Sequence, residues 1–270
     1  MRIAGLQKLT LLDYPGEVAC TVFMQGCNLR CLFCHNPELV VPELYQSSIF
    51  PSMNTSHSGG EFPSGDSPSP EEVFFDYLDR RRGKLSGVVV SGGEPTLYTD
   101  LPDFLARIRR MGYLVKLDTN GMRPEALRLI IDAGLVDYVA MDVKNSPEKY
   151  AQTCGVGGIA EGGGSDPKDP SSLWEMARES ISLLAEGRVL YEFRTTIAIG
   201  LHTEADVEAM ACQLRGARAW FLQQFTGGKA IVGDYGIGKV PKMRTPSPAE
   251  MEKMKEAAQA FVPAVSLRGV

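Results

Sequence analysis

The stretch GCNLRCLFCHN, residues 26–36, brings three cysteines into one short segment, Cys27, Cys31 and Cys34, with the spacing CxxxCxxC. Fully extended, the residues from Cys27 to Cys34 span at most about 24 Å, so converging thiolates require a curled loop around a compact group. Cysteine thiolates are the usual ligands of a 4Fe-4S cluster and normally number four. A set of three therefore predicts a cluster with one iron left open for a ligand from outside the protein.

The same segment has two other interpretations. CLFCH, residues 31–35, spells the CxxCH attachment motif of c-type haem. Haem attachment usually accompanies export, for which we find no signal, and it leaves Cys27 unexplained. Structural zinc, bound by the three cysteines and His35, fits the spacing better because four such ligands complete a tetrahedral site. On spacing alone, a non-enzymatic zinc-binding module therefore stays open.

Composition narrows the class of protein. The chain has 270 residues, a formal net charge of -5 and no dense Lys/Arg block, which argues against a nucleic-acid binder. The start of the sequence, MRIAGLQKLTLLDYPGE, lacks a charged head followed by a long apolar run. We therefore expect neither a signal peptide nor a membrane anchor. We expect the protein to function in a reducing, cytoplasmic compartment.

The remaining cysteines lie apart in the sequence. In a reducing compartment, six cysteines do not indicate a disulfide scaffold, and clustered ones more often bind metal or do chemistry. Cys20 and Cys212 fall in apolar or helical stretches, and we predict that both are ordinary buried residues. Cys154 lies in a Gly-rich loop and receives no assignment.

Apolar runs alternate with amphipathic stretches, which is typical of βα units around a parallel sheet. The predicted strands cover 18–24, 87–91, 113–118, 136–143, 189–197 and 219–225. Six units are too few for a closed eight-fold barrel. Ser69 with Glu72, and Ser247 with Glu250, predict capping boxes that begin two of the helices. We expect one domain, residues 1–270, with low-complexity insertions at about 47–69 and 153–170.

Two apolar stripes fall at helical spacing, and we predict that they belong to the core rather than to a cofactor site. They consist of Leu101, Phe104, Leu105 and Ile108, and of Trp174, Ala177, Ile181 and Leu184.

Polar motifs follow several predicted strands, at the edge where parallel α/β proteins build their sites. Besides the cysteine loop they are SGGEP (91–95), LDTNG (117–121) and MDVKN (141–145). Each alone has an ordinary interpretation: a tight turn, a helix cap or a surface ion pair. Together they offer thiolates, a carboxylate, polar turns and a lysine, which complement one amphoteric ligand.

With these motifs in register, the chain resembles the radical S-adenosylmethionine (SAM) enzymes, whose two best-known signatures match CNLRCLFC and SGGEP. LDYPG, GGEPTL, VKLDTNG and YVAMDVK further resemble the activating enzymes of glycyl-radical proteins, closest to those of anaerobic ribonucleoside-triphosphate reductase. The resemblance runs from about residue 11 to about residue 224. It implies an α/β fold, a partial (β/α)6 barrel open on one side.

The resemblance also implies roles for matching positions. Cys27, Cys31 and Cys34 would bind three irons of a 4Fe-4S cluster, and the methionine amino and carboxylate groups of SAM would chelate the fourth. The other implied contacts to SAM are Phe33 at the adenine, Gly92, Gly93 and Glu94 at the ammonium group, and Asp118, Asp142, Lys144 and Arg194 around the sulfonium and carboxylate. A monovalent cation sometimes accompanies them.

Two positions depart from the family pattern. Tyr98 stands where relatives usually have glutamine after GGEPTL, which concerns substrate contacts more than the cofactor. No counterpart is evident for a histidine that touches the ribose in some activators, since His202 lies in a different segment. Gln223 or Gln224 are the weak substitutes.

The activity implied is reductive cleavage of SAM to a 5'-deoxyadenosyl radical, which abstracts hydrogen from a glycine of a partner enzyme. The partner implied is anaerobic ribonucleoside-triphosphate reductase, with flavodoxin or ferredoxin as electron donor and without nucleic acid or membrane. Activation of a pyruvate formate-lyase-type enzyme, or a small-molecule reaction such as deazapurine synthesis, is the alternative. A lid role for residues 47–69 is a hypothesis based only on their proximity to the cysteine loop.

Overall fold

The computed structural model describes residues 1–41, 44, 68–155, 171–235 and 241–270. Eight strands in these ranges form one sheet, in which they follow each other in chain order. They are β1 (Ile3–Thr10), β2 (Ala19–Met24), β3 (Gly87–Gly92), β4 (Leu114–Thr119), β5 (Tyr138–Asp142), β6 (Leu190–Ile197), β7 (Trp220–Gln224) and β8 (Val265–Arg268). The first and last strands do not pair with each other, so the sheet stays open.

Strands β2 to β8 run parallel, and β1 lies antiparallel to β2 at one edge. The six predicted strands correspond to β2 to β7, and the α/β, partial-barrel prediction is confirmed. The two edge strands were not predicted. Because the inner strands are parallel, the residues that follow them meet at one end of the sheet.

Helices connect the strands. They are α1 (Pro37–Val40), α2 (Pro70–Arg80), α3 (Leu101–Arg110), α4 (Pro124–Asp132), α5 (Tyr150–Thr153), α6 (Ser171–Ala185), α7 (Glu204–Gln213) and α8 (Pro248–Gln259), with 3-10 turns at Pro95–Leu97, Pro147–Lys149 and Val232–Tyr235. Both predicted capping boxes are present, at Ser69 with Glu72 and at Ser247 with Glu250. Each box satisfies backbone N–H groups that a helix start leaves without partners.

The apolar stripes of the helices lie in the core, as predicted. Leu101, Phe104, Leu105 and Ile108 of α3 are buried, as are Ala177, Ile181 and Leu184 of α6, whereas Trp174 is half-buried against them. Cys20 is buried as expected, but Cys212 is exposed, so that prediction was wrong. Its neighbours Val207, Met210 and Ala211 form the buried face of α7, and Cys212 falls on the opposite side.

The other face of the sheet carries charged residues at alternate positions of the strands. One ion pair joins β8 to β6. Arg268 of β8 donates two hydrogen bonds of 2.9 Å to the carboxylate of Glu192, which is almost fully buried in β6. The guanidinium also lies 3.4 Å from the ring centre of Phe221. The open barrel therefore has a polar interior.

Most of the two predicted insertions lies outside the described residues, and the single-domain assignment stays a prediction. Within the described ranges, none of the helices combines the length and the apolar character needed to cross a bilayer.

Candidate functional site

The cysteine loop follows β2 and borders a cavity of about 210 Å³ at the carboxyl end of the sheet. Cys27, Cys31 and Cys34 all line this cavity; Cys31 is buried, and the other two are half-buried. The curled loop predicted from the spacing is therefore present. Three thiols that line one cavity are suited to bind a metal cluster rather than several separate metal ions.

Hydrogen-bond donors surround the three sulfurs. Sγ of Cys27 accepts from the backbone N–H of Leu29 at 3.4 Å and from Nδ2 of Asn120 at 3.7 Å. Sγ of Cys34 accepts from the backbone N–H of Asn36. Such donors stabilise negative charge on sulfur and so favour the thiolate form that metal binding requires.

The three thiols differ in acidity. A hydrogen bond from Cys154, opposed by burial and supported by the charge of Lys144, lowers the pKa of Cys31 to about 7. Burial and the neighbouring Cys31 raise the pKa of Cys34 to about 11, and burial raises that of Cys27 further. Cys31 is therefore the thiol most readily deprotonated before any metal binds.

Two glycines bring the turn after β3 against the cysteine loop. Gly92 has a φ of +122°, and a Cβ there would lie 2.2 Å from the backbone nitrogen of Met24. A Cβ on Gly93 would lie 1.9 Å from the carbonyl oxygen of Gly26, the residue before Cys27. Only glycine permits this approach, so the pair positions the cysteine loop as well as lining the cavity.

Glu94 is not among the residues that line the cavity, and its contact with an ammonium group stays a prediction. It is fully buried behind the turn and accepts hydrogen bonds from the backbone and hydroxyl of Thr96, from the hydroxyl of Thr119 and from the backbone of Asn120. These bonds occupy both of its oxygens. Glu94 therefore ties the turn after β3 to the turn after β4.

A ladder of alternating charges runs across the strands towards the cysteines, and we call these five residues the charge ladder. In order they are Lys116, Asp118, Arg194, Asp142 and Lys144. The successive nitrogen–oxygen distances are 2.5, 3.2, 2.8 and 2.9 Å. All but Lys116 line the cavity. Lys116 is buried and the other four are half-buried, and each charge has an opposite neighbour, which offsets the cost of its burial.

The ladder favours the charged forms of Asp142 and Lys144. Burial alone would raise the pKa of Asp142, but Arg194 and Lys144 lower it to about 2. Burial opposes the charge of Lys144, yet Asp142 and Cys31 raise the pKa of its ammonium group. The cavity therefore presents a fixed positive charge at Lys144 beside the cysteine sulfurs.

Phe33 forms an apolar wall next to this lysine. It is buried, its ring centre lies 5.9 Å from Nζ of Lys144, and its edge contacts His202. His202 itself accepts from the backbone N–H of Ala198 at 3.2 Å, and its Nε2 lies 2.9 Å from the carbonyl oxygen of Lys144. His202 thus supports Phe33 and Lys144 from behind.

Tyr98, which departs from the family pattern, and Gln224, a weak substitute for the missing histidine, both have hydrogen-bond partners in the structure. The hydroxyl of Tyr98 donates to the carbonyl oxygen of Gln25 at 2.6 Å, which connects it to the strand end before the cysteine loop. Gln224, the weak substitute for the ribose contact, is not among the residues that line the cavity, and its Nε2 donates to the carbonyl oxygen of Pro246 at 2.8 Å.

His35, the fourth ligand in the zinc interpretation and the last residue of the haem motif, has partners outside the cysteine loop. His35 stacks on Phe225, with ring centres 5.0 Å apart, and its Nε2 lies 2.9 Å from the carbonyl oxygen of Thr226. Across the described ranges, no three His, Cys, Asp or Glu side chains gather closely enough to hold a single metal ion. Three thiols line one cavity, two of them with N–H donors at sulfur, and this set fits the iron-sulfur cluster that the cysteine spacing predicts.

The predicted site residues that line the cavity are Cys27, Cys31, Phe33, Cys34, Gly92, Gly93, Asp118, Asp142, Lys144 and Arg194. The residues with a contact to a sulfur that were not predicted as site residues include Leu29, Asn36, Asn120 and Cys154. Asn120 belongs to the LDTNG motif, so the sequence contained a signal that this residue lies near the site. Cys154 carried no sequence signal, because its contact depends on a distant part of the chain.

Comparison with known proteins agrees with this geometry. A family model described as the radical SAM superfamily matches residues 21–211. A Methanocaldococcus jannaschii protein named as a candidate glycyl-radical enzyme activating enzyme is 27% identical over 271 residues, which cover 99% of this chain and 96% of that one. The pyruvate formate-lyase-activating enzyme of Listeria monocytogenes is 29% identical over 159 residues, 55% of this chain and 56% of that enzyme.

Among solved structures, the Streptococcus suis protein SuiB shares the fold, with a TM-score of 0.57 and 11% identity. The alignment covers 93% of this chain and 49% of SuiB. Identity this low supports the architecture alone.

Proposed function

Because the chain belongs to the radical SAM superfamily, we propose that it activates a glycyl-radical enzyme, and that its partner is anaerobic ribonucleoside-triphosphate reductase. The observation that carries the proposal is one cavity lined by three thiols, a glycine pair and four residues of the charge ladder. The thiols suit an iron-sulfur cluster, whereas the glycine pair and the charged residues suit a cofactor that has both positive and negative groups.

Cys27, Cys31 and Cys34 would hold three irons of the 4Fe-4S cluster that the family implies. When bound, the cluster and SAM together supply the electron and the 5'-deoxyadenosyl radical that removes hydrogen from a partner glycine. The protein's part is to place its thiolates, to donate hydrogen bonds to the sulfurs and to keep the cavity closed to water.

The groups for SAM lie around the cavity. The backbone of Gly92 and Gly93 would hold the methionine ammonium group, with Glu94 fixing the turn from behind. Phe33 offers its ring to the adenine, and Lys144 offers a cation to the methionine carboxylate. Both groups are already held in place by other contacts, which lowers the cost of ordering them.

Asp118 and Asp142 would face the sulfonium. The resemblance implies that a monovalent cation sometimes accompanies these residues, and Arg194 bonds to both carboxylates. The guanidinium thus supplies positive charge beside both aspartates. We propose that Arg194 either replaces this ion or moves aside when it binds.

The choice of partner rests on the motifs LDYPG, GGEPTL, VKLDTNG and YVAMDVK, and similarity over nearly the whole chain to a candidate activating enzyme supports the class. Partial similarity to a pyruvate formate-lyase-activating enzyme makes that type of partner the second candidate. In either case the glycine belongs to another protein, and a flavodoxin or ferredoxin is the proposed electron donor.

The experiment is anaerobic reconstitution with iron and sulfide, followed by electron paramagnetic resonance (EPR) with dithionite, SAM and one partner at a time. The partners are anaerobic ribonucleotide reductase, pyruvate formate-lyase and none. We expect a glycyl-radical doublet with the reductase. The Cys31→Ala variant should lose the cluster and all SAM cleavage, whereas Cys212→Ala, at an exposed cysteine, should keep both.

Each other outcome identifies a different function. A doublet with pyruvate formate-lyase alone would change the partner. Production of 5'-deoxyadenosine without any protein radical would favour a small-molecule reaction, such as deazapurine synthesis. Bound zinc without sulfide would reject the enzyme assignment.

A further inference from the structure

Asn120 lies in the turn after β4, at the carboxyl end of the sheet. It is buried, and it lines the same cavity as Cys27. Its backbone N–H donates to Oε2 of Glu94 at 2.7 Å. The hydroxyl of the preceding residue, Thr119, donates to Oε1 of the same carboxylate at 2.8 Å. The buried carboxylate of Glu94 therefore fixes the backbone that carries the Asn120 side chain.

The side-chain amide of Asn120 has a partner for each of its polar atoms. Oδ1 accepts from the backbone N–H of Met122 at 3.0 Å. Nδ2 donates to Oδ1 of Asn28 at 2.9 Å and to Sγ of Cys27 at 3.7 Å, and the amide has one N–H group for each acceptor. A flipped amide would place its oxygen against the oxygen of Asn28 and its nitrogen against the N–H of Met122. These contacts therefore determine that the nitrogen of the amide faces the sulfur.

The sulfur of Cys27 thus accepts hydrogen bonds from two parts of the chain. The backbone N–H of Leu29, in the cysteine loop itself, donates at 3.4 Å. The amide of Asn120 comes from the turn after β4 and is the donor that a side-chain substitution can remove. An amide does not titrate, so this donor does not depend on pH.

We propose that Asn120 is a positioning residue that donates an N–H···S hydrogen bond to Cys27 and thereby raises the reduction potential of the cluster. The inference rests on the proposed function, because it requires the cluster. Reduction adds negative charge to the cluster and its ligand sulfurs. A hydrogen-bond donor at a ligand sulfur therefore stabilises the reduced form more than the oxidised form.

The test is an EPR-monitored redox titration of the reconstituted protein without SAM, so that any contact between Asn120 and SAM does not contribute. It compares wild type with Asn120→Ala and Asn120→Ser. Neither variant has the amide N–H, and the reduced-to-oxidised ratio at a fixed potential should fall about threefold, near the lower end of the effect of one hydrogen bond. A tenfold change corresponds to about 59 mV for one electron, so the potential should decrease by about 30 mV.

The matched control is Ser180→Ala. The hydroxyl of Ser180 is buried and donates to the carbonyl oxygen of Gly121 at 2.7 Å. Its loss removes a hydrogen bond from the same turn without removing a donor at sulfur, so the potential should stay at the wild-type value. The Asn120→Ser variant keeps a side-chain oxygen for the N–H of Met122, so it carries the test if Asn120→Ala does not fold.

Wild-type potentials in both Asn120 variants, at full iron content, would overturn the inference. An equal decrease in Ser180→Ala would also overturn it, because displacement of the turn would then explain the effect. Loss of iron from both Asn120 variants would overturn it as well, since Asn120 would then be needed to retain the cluster. Failure of the wild type to form a cluster would instead overturn the proposed function, whereas a shifted potential without any glycyl radical would support the inference and reject the activating function alone.

Discussion

Arg194 donates a hydrogen bond from Nε to Oδ1 of Asp142 over 2.8 Å and so joins β6 to β5 at the cavity. The same guanidinium reaches Oδ2 of Asp118 in β4 through Nη1, at 3.2 Å. One planar side chain thus holds carboxylates from two other strands. A lysine has one charged nitrogen and lacks the fork that this geometry uses.

Arg194→Lys should therefore weaken SAM binding. We expect about a tenfold loss of affinity, or ~1.4 kcal/mol, because one ammonium group cannot bridge both carboxylates. Calorimetric titration of the reconstituted protein with SAM measures it. Arg188→Lys, at an exposed ion pair, is the control and should bind normally. Unchanged affinity in Arg194→Lys would show that the bridge is not needed for the cofactor.

Gly93→Ala should displace the cysteine loop. The new methyl group would meet the carbonyl oxygen of Gly26, and relief of such a clash costs about 1–3 kcal/mol. We expect lower stability in urea unfolding and less iron and sulfide after reconstitution. Gly227→Ala is the matched control, since its Cβ would lie at an ordinary 3.5 Å from Oγ1 of Thr245. Equal iron content in the two variants would contradict the prediction.

Arg268→Ala should destabilise the fold through Glu192. The substitution removes the ion-pair partner of a carboxylate with almost no exposure, at a cost of about 2–3 kcal/mol. The cost stays below that of a fully buried pair, because a third of the Arg268 side chain is exposed. Urea unfolding measures it. Adding Glu192→Gln should recover part of the stability; no recovery would assign the loss to the Phe221 contact instead.

Glu250 makes the start of α8 sensitive to acid. Its side chain accepts hydrogen bonds from Arg244 at 2.6 Å and from the backbone of Ser247 at 2.8 Å, which lower its pKa to about 2. Because the folded-state pKa lies below the ordinary value near 4.5, the stabilisation is fully present above pH 4.5 and disappears as the pH falls towards 2.

Wild type should accordingly melt at a higher temperature than Glu250→Gln at pH 6, and the gap should narrow at pH 3. Thermal unfolding followed by circular dichroism measures both. Glu256→Gln, on the exposed side of the same helix, should show no such gap. If the difference in melting temperature between wild type and Glu250→Gln stays constant with pH, ionisation of Glu250 does not stabilise α8.

Much of the fold was predictable because buried parallel strands are continuous apolar runs. GVVV at 87–90 shows this, and its strand was placed within one residue. The edge strands gave a weaker signal. In β1 the residues Gln7 to Leu9 are all exposed, so apolar and polar positions do not alternate, and β8 has four residues.

The candidate site was predictable to the extent that its residues follow strands directly. The cysteines and Lys144 lie there, and all line the cavity. Glu94 shows the limit of this reasoning, because the strand-end position was correct while its side chain turned away to bind Thr96 and Asn120. Residue position along a strand predicts which end of the sheet is reached, whereas side-chain direction depends on partners elsewhere in the chain.

The charge ladder contains three cations and two carboxylates, with a cation at each end. Because the ladder has one more cation than carboxylates, neutralising a cation and neutralising a carboxylate have different electrostatic consequences. Loss of any one cation leaves as many negative as positive charges, whereas loss of either carboxylate leaves an excess of two positive charges in a poorly solvated interior. Evolution of this barrel is therefore freer to neutralise a lysine than an aspartate, and Lys116, which does not line the cavity, is the position where an uncharged residue would cost least.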